Sequence, residues 1–137
     1  MKRIFAVILS CVLMMLSSIS AFAVSHDATI NPRWDNTKEV GCQLVFDRTS
    51  GCANGWVTGD VGVTCINGTL AVYKQLSNGN WEYVDHTGRL IRNSREFYIT
   101  VPFTAESGAY YKAVLNVTVT KNGVDENIIK FAYYTCP

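Results

Sequence analysis

The sequence predicts an all-β protein, a sandwich of seven short antiparallel strands behind a cleavable signal peptide. Three observations carry this. From Gly108 to Thr120 the chain alternates, with Tyr111, Ala113, Leu115, Val117 and Val119 against Lys112, Asn116, Thr118 and Thr120, broken only at Val114. A period of two is the mark of a strand with one buried face. Clusters of Asn, Asp, Gly and Ser separate the alternating runs at short intervals, and no stretch after residue 23 has the i, i+3, i+4 apolar spacing of a helix over a dozen residues.

The first element is not part of the fold. Lys2 and Arg3 form a positive head, Ile4 to Leu16 is apolar, and Ala21-Phe22-Ala23 supplies a small-x-small cleavage site. Cys11 follows Ile8-Leu9-Ser10, but the apolar run continues past it, which argues against a lipoprotein signal. Removing 23 of 137 residues leaves 114, enough for one small domain over 39–137 preceded by an extended lead-in over 24–38. Loss of Lys2 and Arg3 takes Lys+Arg from 12 to 10 against 11 Asp+Glu, so no basic surface points to nucleic acid or an anionic membrane. Nothing after residue 23 is apolar for long enough to span a bilayer, and a secreted monomer is the expectation.

In order, the first strand begins at Lys38 and places Val40, Cys42, Leu44 and Phe46 on one face. Asp47 to Gly51 is a turn cluster, and Trp34 in the lead-in is positioned to tuck onto the domain edge. The second strand, Cys52 to Thr58, is small on one side (Ala53, Gly55, Val57) with Trp56 on the other. The third, Thr64 to Leu76, sets Ile66, Leu70 and Val72 against Thr69, Tyr73 and Gln75. Asn78-Gly79 is a hairpin signal, because both residue types accept the positive φ of primed turns. Trp81 to Asp85 is a short fourth strand, and His86 to Ser94 an irregular connection carrying Arg89 and Arg92. The fifth strand alternates Phe97, Ile99 and Val101 with Tyr98 and Thr100, and Pro102 is expected to end it. The long strand from Gly108 is the sixth. The seventh, Asn127 to Thr135, is expected to bury Ile129, Phe131 and Tyr133 and expose Ile128, Lys130, Ala132 and Tyr134. That assignment constrains the Asn122-Gly123 turn. A two-residue turn would set Lys121 against Val124 and turn one strand inside out, so a loop of odd length is expected.

Signals for chemistry are few. Asp85-His86 is the only acid–histidine neighbour pair in the domain, and on a strand such neighbours point to opposite faces. There is no G-x-S-x-G, H-E-x-x-H or phosphate-cradling glycine loop, and Asp125-Glu126 reads as a solvated turn pair. The cysteine spacings do not suit zinc. The expectation is no catalytic residue, no metal, no cofactor and no enzyme. The sequons Asn67-Gly68-Thr69 and Asn116-Val117-Thr118 fall inside strands and are expected to be bare. With Cys11 removed, Cys42, Cys52, Cys65 and Cys136 form an even set that favours two disulfides in an exported domain.

Gly108-Ala109-Tyr110 resembles the turn into the sixth strand of immunoglobulin-like domains. Together with Gly55-x-Val57-x-Gly59, Ile66, Leu70, Val72-Tyr73-Lys74 and Asn78-Gly79-x-Trp81, it resembles a family of small exported Gram-positive bacterial proteins with no assigned activity, over residues 40–134. The resemblance implies an immunoglobulin-like topology, and in that topology Cys42 lies near Cys65 and Cys52 near Cys136. It also puts strands three, six and seven in one sheet, with Tyr73, Tyr110 and Tyr134 at one level and Lys112 and Lys130 on the same outer face. Aromatic rings beside cations suit a binding module for a surface glycan or protein. The alternative is an effector, an inhibitor or antimicrobial protein, acting through the His86–Ser94 loop.

Overall fold

The structure, a computed structural model, describes residues 34–137. The expected signal peptide and the lead-in up to residue 33 lie outside the described residues. Those described contain eight strands, not seven: β1 (Thr37–Asp47), β2 (Ser50–Gly59), β3 (Val63–Gln75), β4 (Trp81–His86), β5 (Leu90–Arg92), β6 (Glu96–Thr104), β7 (Tyr110–Lys121) and β8 (Val124–Thr135). All pair antiparallel. One sheet has the order β1-β2-β6; the other has the order β4-β3-β7-β8, with β5 also on β3. The additional strand is β5, inside the stretch read as irregular. β4 pairs with β3 over residues 71–75, and β5 takes up the free β3 edge at Ile66–Gly68.

The two sheets pack face to face around the β7 alternation. Tyr111, Ala113, Leu115, Val117 and Val119 are buried against Ile66, Leu70 and Val72 of β3 and Ala53, Val57, Phe97, Ile99 and Val101 of the facing sheet. At Gly55 the sheets approach so closely that a Cβ would lie 2.8 Å from Leu115 Cδ1. Tyr111 closes one end of this core, with ring centroids 5.5 Å from Phe46 and 5.3 Å from Phe103. Its hydroxyl accepts a 2.8 Å hydrogen bond from the Glu106 N–H.

β8 is turned over relative to expectation. Asn122 and Gly123 form a two-residue turn with φ of 53° and 76°, and Lys121 pairs with Val124. Positive φ at both positions is the primed hairpin geometry that matches strand twist. With that register, odd residues of β7 share a face with even residues of β8. Ile128 is buried, whereas Ile129, Phe131 and Tyr133 are 57%, 49% and 51% exposed. The odd-length loop and the burial of those three side chains are therefore both corrected.

Pro102 does not end β6, which continues to Thr104. The β2–β6 register runs without a shift from Ser50↔Thr104 to Thr58↔Glu96. Just beyond its ends, Ala105 N–H donates to Thr49 O and Gly59 N–H to Arg95 O. By strict alternation the odd residues of β6 bond to β2, so the missing N–H of Pro102 faces the free edge, where a strand tolerates proline.

The lead-in is pinned to the β7–β8 hairpin. Glu126 accepts hydrogen bonds from Asp35 N–H (2.7 Å), Asn36 N–H (3.3 Å) and Thr37 Oγ1 (2.8 Å). Buried Asn36 donates its amide to Val119 O and Val124 O. Glu126 is thus a structural acceptor and not a solvated turn residue. Trp34 does pack against the core, as its position suggested.

The four cysteines are thiols in the structure. Cys42 lies on the inner face of β1, where burial pushes its thiol up to about 11, against a Leu115 backbone hydrogen bond and the Lys130 charge. Cys65 has the parity of Asn67 and Tyr73 and lies on the outer side of β3, so the two are not brought together. Cys52 and Cys136 share an end of the sandwich but not a layer. Cys52 Sγ is 3.0 Å from Thr100 Oγ1 on the outer face, and buried Cys136 donates to Arg48 O at 3.2 Å.

Candidate functional site

Among the described residues, exposed Tyr83, Tyr110, Phe131 and Tyr133 gather on the outer face of the larger sheet. Its register sets out the rows. Tyr83, Tyr73, Lys112 and Tyr133 lie opposite one another across β4, β3, β7 and β8. One step towards the sheet end are Trp81 and Tyr110; one step inward are Ala71, Val114 and Phe131. Neighbours this close across strands interact directly.

The rings form one connected platform. Tyr110 and Tyr133 are stacked at 6.2 Å and 18°, Phe131 and Tyr133 at 6.3 Å and 23°. Trp81 bridges to both tyrosines at 6.0 and 6.1 Å. Lys112 sits in the middle, its Nζ 4.3 Å from the Trp81 centroid and 5.0 Å from that of Tyr73. Such contacts hold an exposed ammonium with about 0.5–1 kcal/mol each. Among the described residues no carboxylate lies within ion-pair distance of Lys112.

Three of the five residues expected in the site, Tyr73, Tyr110 and Lys112, are on this face. Lys130 and Tyr134 are not, because the two-residue turn assigns even positions of β8 to the inner side. Lys130 is half-buried opposite Leu115, and Tyr134 stacks on Phe46 at 5.8 Å at the sandwich end. In their place the structure brings up Trp81, Phe131 and Tyr133. The Asn-Gly turn was the signal for the last two: accepted as a two-residue turn, it exposes the odd residues of β8.

Beyond Val114 the β3 and β7 part of the same face becomes polar, flanked by exposed Ile129 opposite Asn116 and exposed Ile91 opposite Asn67. Asn67, Thr69, Asn116 and Thr118, the polar residues of the two sequons, line an open cavity of about 220 Å³ with Arg89. Arg89 Nε donates to Asn67 Oδ1 at 3.1 Å. From Tyr110 to Thr118, at ~3.4 Å per residue, the face runs for roughly 27 Å.

The remaining candidates for chemistry are tied up locally. Asp85 Oδ1 accepts from the His86 N–H at 2.7 Å, and the His86 ring hydrogen-bonds the Tyr83 hydroxyl. Burial, then the charge of Asp85, raises the pKa of that hydroxyl. Among the described residues no group of three His, Cys, Asp or Glu side chains is placed to hold a metal ion. On the opposite sheet, Trp56 lies across Gly41, where a Cβ would come within 2.0 Å of its ring, and donates to Glu39 at 3.1 Å. No helix among the described residues is long and apolar enough to cross a membrane. No family model and no curated protein matches the chain.

Proposed function

We propose that this chain is an exported, non-catalytic binding module of immunoglobulin-like topology, and that the outer face of its larger sheet binds a glycan. The topology is supported by the order β1-β2-β6 against β4-β3-β7-β8 and by Tyr111. That residue sits at the corner between β6 and β7 with its hydroxyl bonded to backbone five residues upstream, as the tyrosine corner of such sandwiches does. Export rests on Ile4–Leu16 and Ala21-Phe22-Ala23.

The observation that carries the binding reading is the continuity of two surfaces on one face. Exposed rings around Lys112 offer stacking area, and the adjoining Asn and Thr side chains offer donors and acceptors. A sugar chain presents apolar C–H faces beside hydroxyls and needs both. A purely apolar partner would leave the polar half unpaired, at a cost for each desolvated group.

Affinity electrophoresis in gels containing solubilised Gram-positive wall polysaccharide or a neutral β-glucan tests this. Retardation in at least one gel is expected, with loss in the Tyr73→Ala/Tyr133→Ala double variant. Its unfolding midpoint should move only as far as cross-strand contributions of about 0.2–1 kcal/mol per pair allow. No retardation in any gel, or loss of fold together with loss of binding, overturns the reading. Capture of a surface protein without retardation would reassign the ligand.

A further inference from the structure

The free edge of β6 faces a groove that shares one residue, Arg89, with the polar end of the outer face: its Nε is held by Asn67 Oδ1, and it also lines this groove. Two adjoining open cavities, about 500 and 400 Å³, lie on either side of Tyr98 and Arg92. β5 forms the opposite wall. Arg92 pairs with Ile66, whose side chain points to the core, so the Arg92 side chain has inward parity and reaches across the open side of the sandwich towards β6. Arg89 lines the second cavity beside it. Among the described residues neither arginine has a carboxylate within ion-pair distance. Glu96, at the far end, is engaged by Thr58 Oγ1 at 3.0 Å and Arg95 Nε at 4.0 Å.

The β6 wall offers backbone. Its even residues direct N–H and C=O away from β2, and Glu96 N–H is occupied by Ser94 Oγ at 3.1 Å while Pro102 has none. Tyr98 and Thr100 are left between these two stops with N–H and C=O groups that no strand among the described residues takes up. An unpaired edge of this kind is a template for an added strand.

We propose that the β5–β6 groove receives an extended acidic peptide segment, which pairs with the backbone of Tyr98 and Thr100 and turns its carboxylates to Arg89 and Arg92. The occupant is acidic because the facing wall carries two uncompensated guanidiniums, suited to planar recognition of carboxylates. It is extended because the slot is a strand edge. It is short because Ser94 and Pro102 close the slot at both ends.

The test uses fluorescein-labelled nonapeptides of alternating Thr/Glu and Thr/Lys, read by anisotropy on the purified protein. The Glu peptide is expected to bind at least about tenfold more tightly, and Arg92→Glu to abolish that preference. Thr100→Pro removes an edge N–H, as Pro102 already does within this strand, and should weaken binding about fivefold, the worth of one hydrogen bond, without unfolding the sheet. Bound peptide should slow amide exchange at Tyr98 and Thr100. Equal binding of both peptides, no binding at millimolar concentration, or binding without that protection overturns the proposal.

Discussion

The sheets approach closely at Gly55 and Leu115, and a double-mutant cycle there tests the sandwich itself. Gly55→Ala places a methyl group 2.8 Å from Leu115 Cδ1 and 3.1 Å from both Leu115 Cδ2 and Ile99 Cγ2. Overpacking of this kind costs about 1–3 kcal/mol, partly offset by the ~0.5–1 kcal/mol that alanine gains over glycine in a strand. Leu115→Ala empties a fully buried position, for about 2–5 kcal/mol. In the Leu115→Ala background two of the three close contacts are gone and the new methyl fills part of the space. Gly55→Ala should there be neutral or stabilising by up to ~1 kcal/mol. The coupling is therefore expected at about 1–3 kcal/mol, favourable to the double variant. Urea unfolding of the four proteins measures it, with Val119→Ala as the partner for a control cycle. Additivity within ~0.5 kcal/mol for Gly55 and Leu115 would refute the facing of these two strands.

Asn36→Ala removes the buried amide that donates to Val119 O and Val124 O, and urea unfolding should show a loss of about 1–3 kcal/mol for the two hydrogen bonds. Gly123→Ala meets no atom within 4 Å, so its cost is backbone strain alone, about 1–2 kcal/mol by thermal unfolding. Gly123→Asn should cost less, because asparagine accepts positive φ more readily. The folded chain holds the Cys42 proton up to about 11, whereas the ordinary thiol value is 9.0. Stability from this group is full below the lower value and is lost as pH rises through the upper one. Unfolding midpoints measured at about pH 8 and about pH 11 should thus diverge more in the native chain than in Cys42→Ala.

Most of the fold could be read from patterns that act within one strand. The β7 alternation predicted every buried side chain from Tyr111 to Val119, because burial of one face fixes parity locally. The alternation that sets Trp56 against Ala53 and Val57, and Tyr98 against Phe97 and Ile99, holds in β2 and β6 for the same reason. What depended on pairing between strands was less accessible. β5 has three residues and exists only because β3 extends beyond β4, and no periodicity marks a strand that short. Whether Pro102 ends β6 depends on which edge of that strand is free, and the residues around it do not carry that information. The role of Glu126 depends on the approach of Asp35–Thr37, about 90 residues earlier in the chain.

β8 shows how one local choice decides which side chains reach the outer face. Its sequence from Ile128 to Tyr134 is apolar or aromatic at nearly every position, so hydrophobicity does not distinguish its two faces. The turn does. Asn122-Gly123 supplies positive φ at two consecutive positions, and the register it imposes buries Ile128 and sends Ile129, Phe131 and Tyr133 outward. With the longer loop first expected, those three side chains would have been inside, and Lys130 and Tyr134 would have joined Tyr73, Tyr110 and Lys112. The turn instead aligns Tyr133 with Lys112 and Tyr73, and Trp81 closes the platform from β4. An exposed aromatic strand at a sheet edge carries an aggregation cost. On the reading proposed above, contact between these outward rings and a ligand is what offsets that cost, and an added turn residue, by reversing the parity, would remove both.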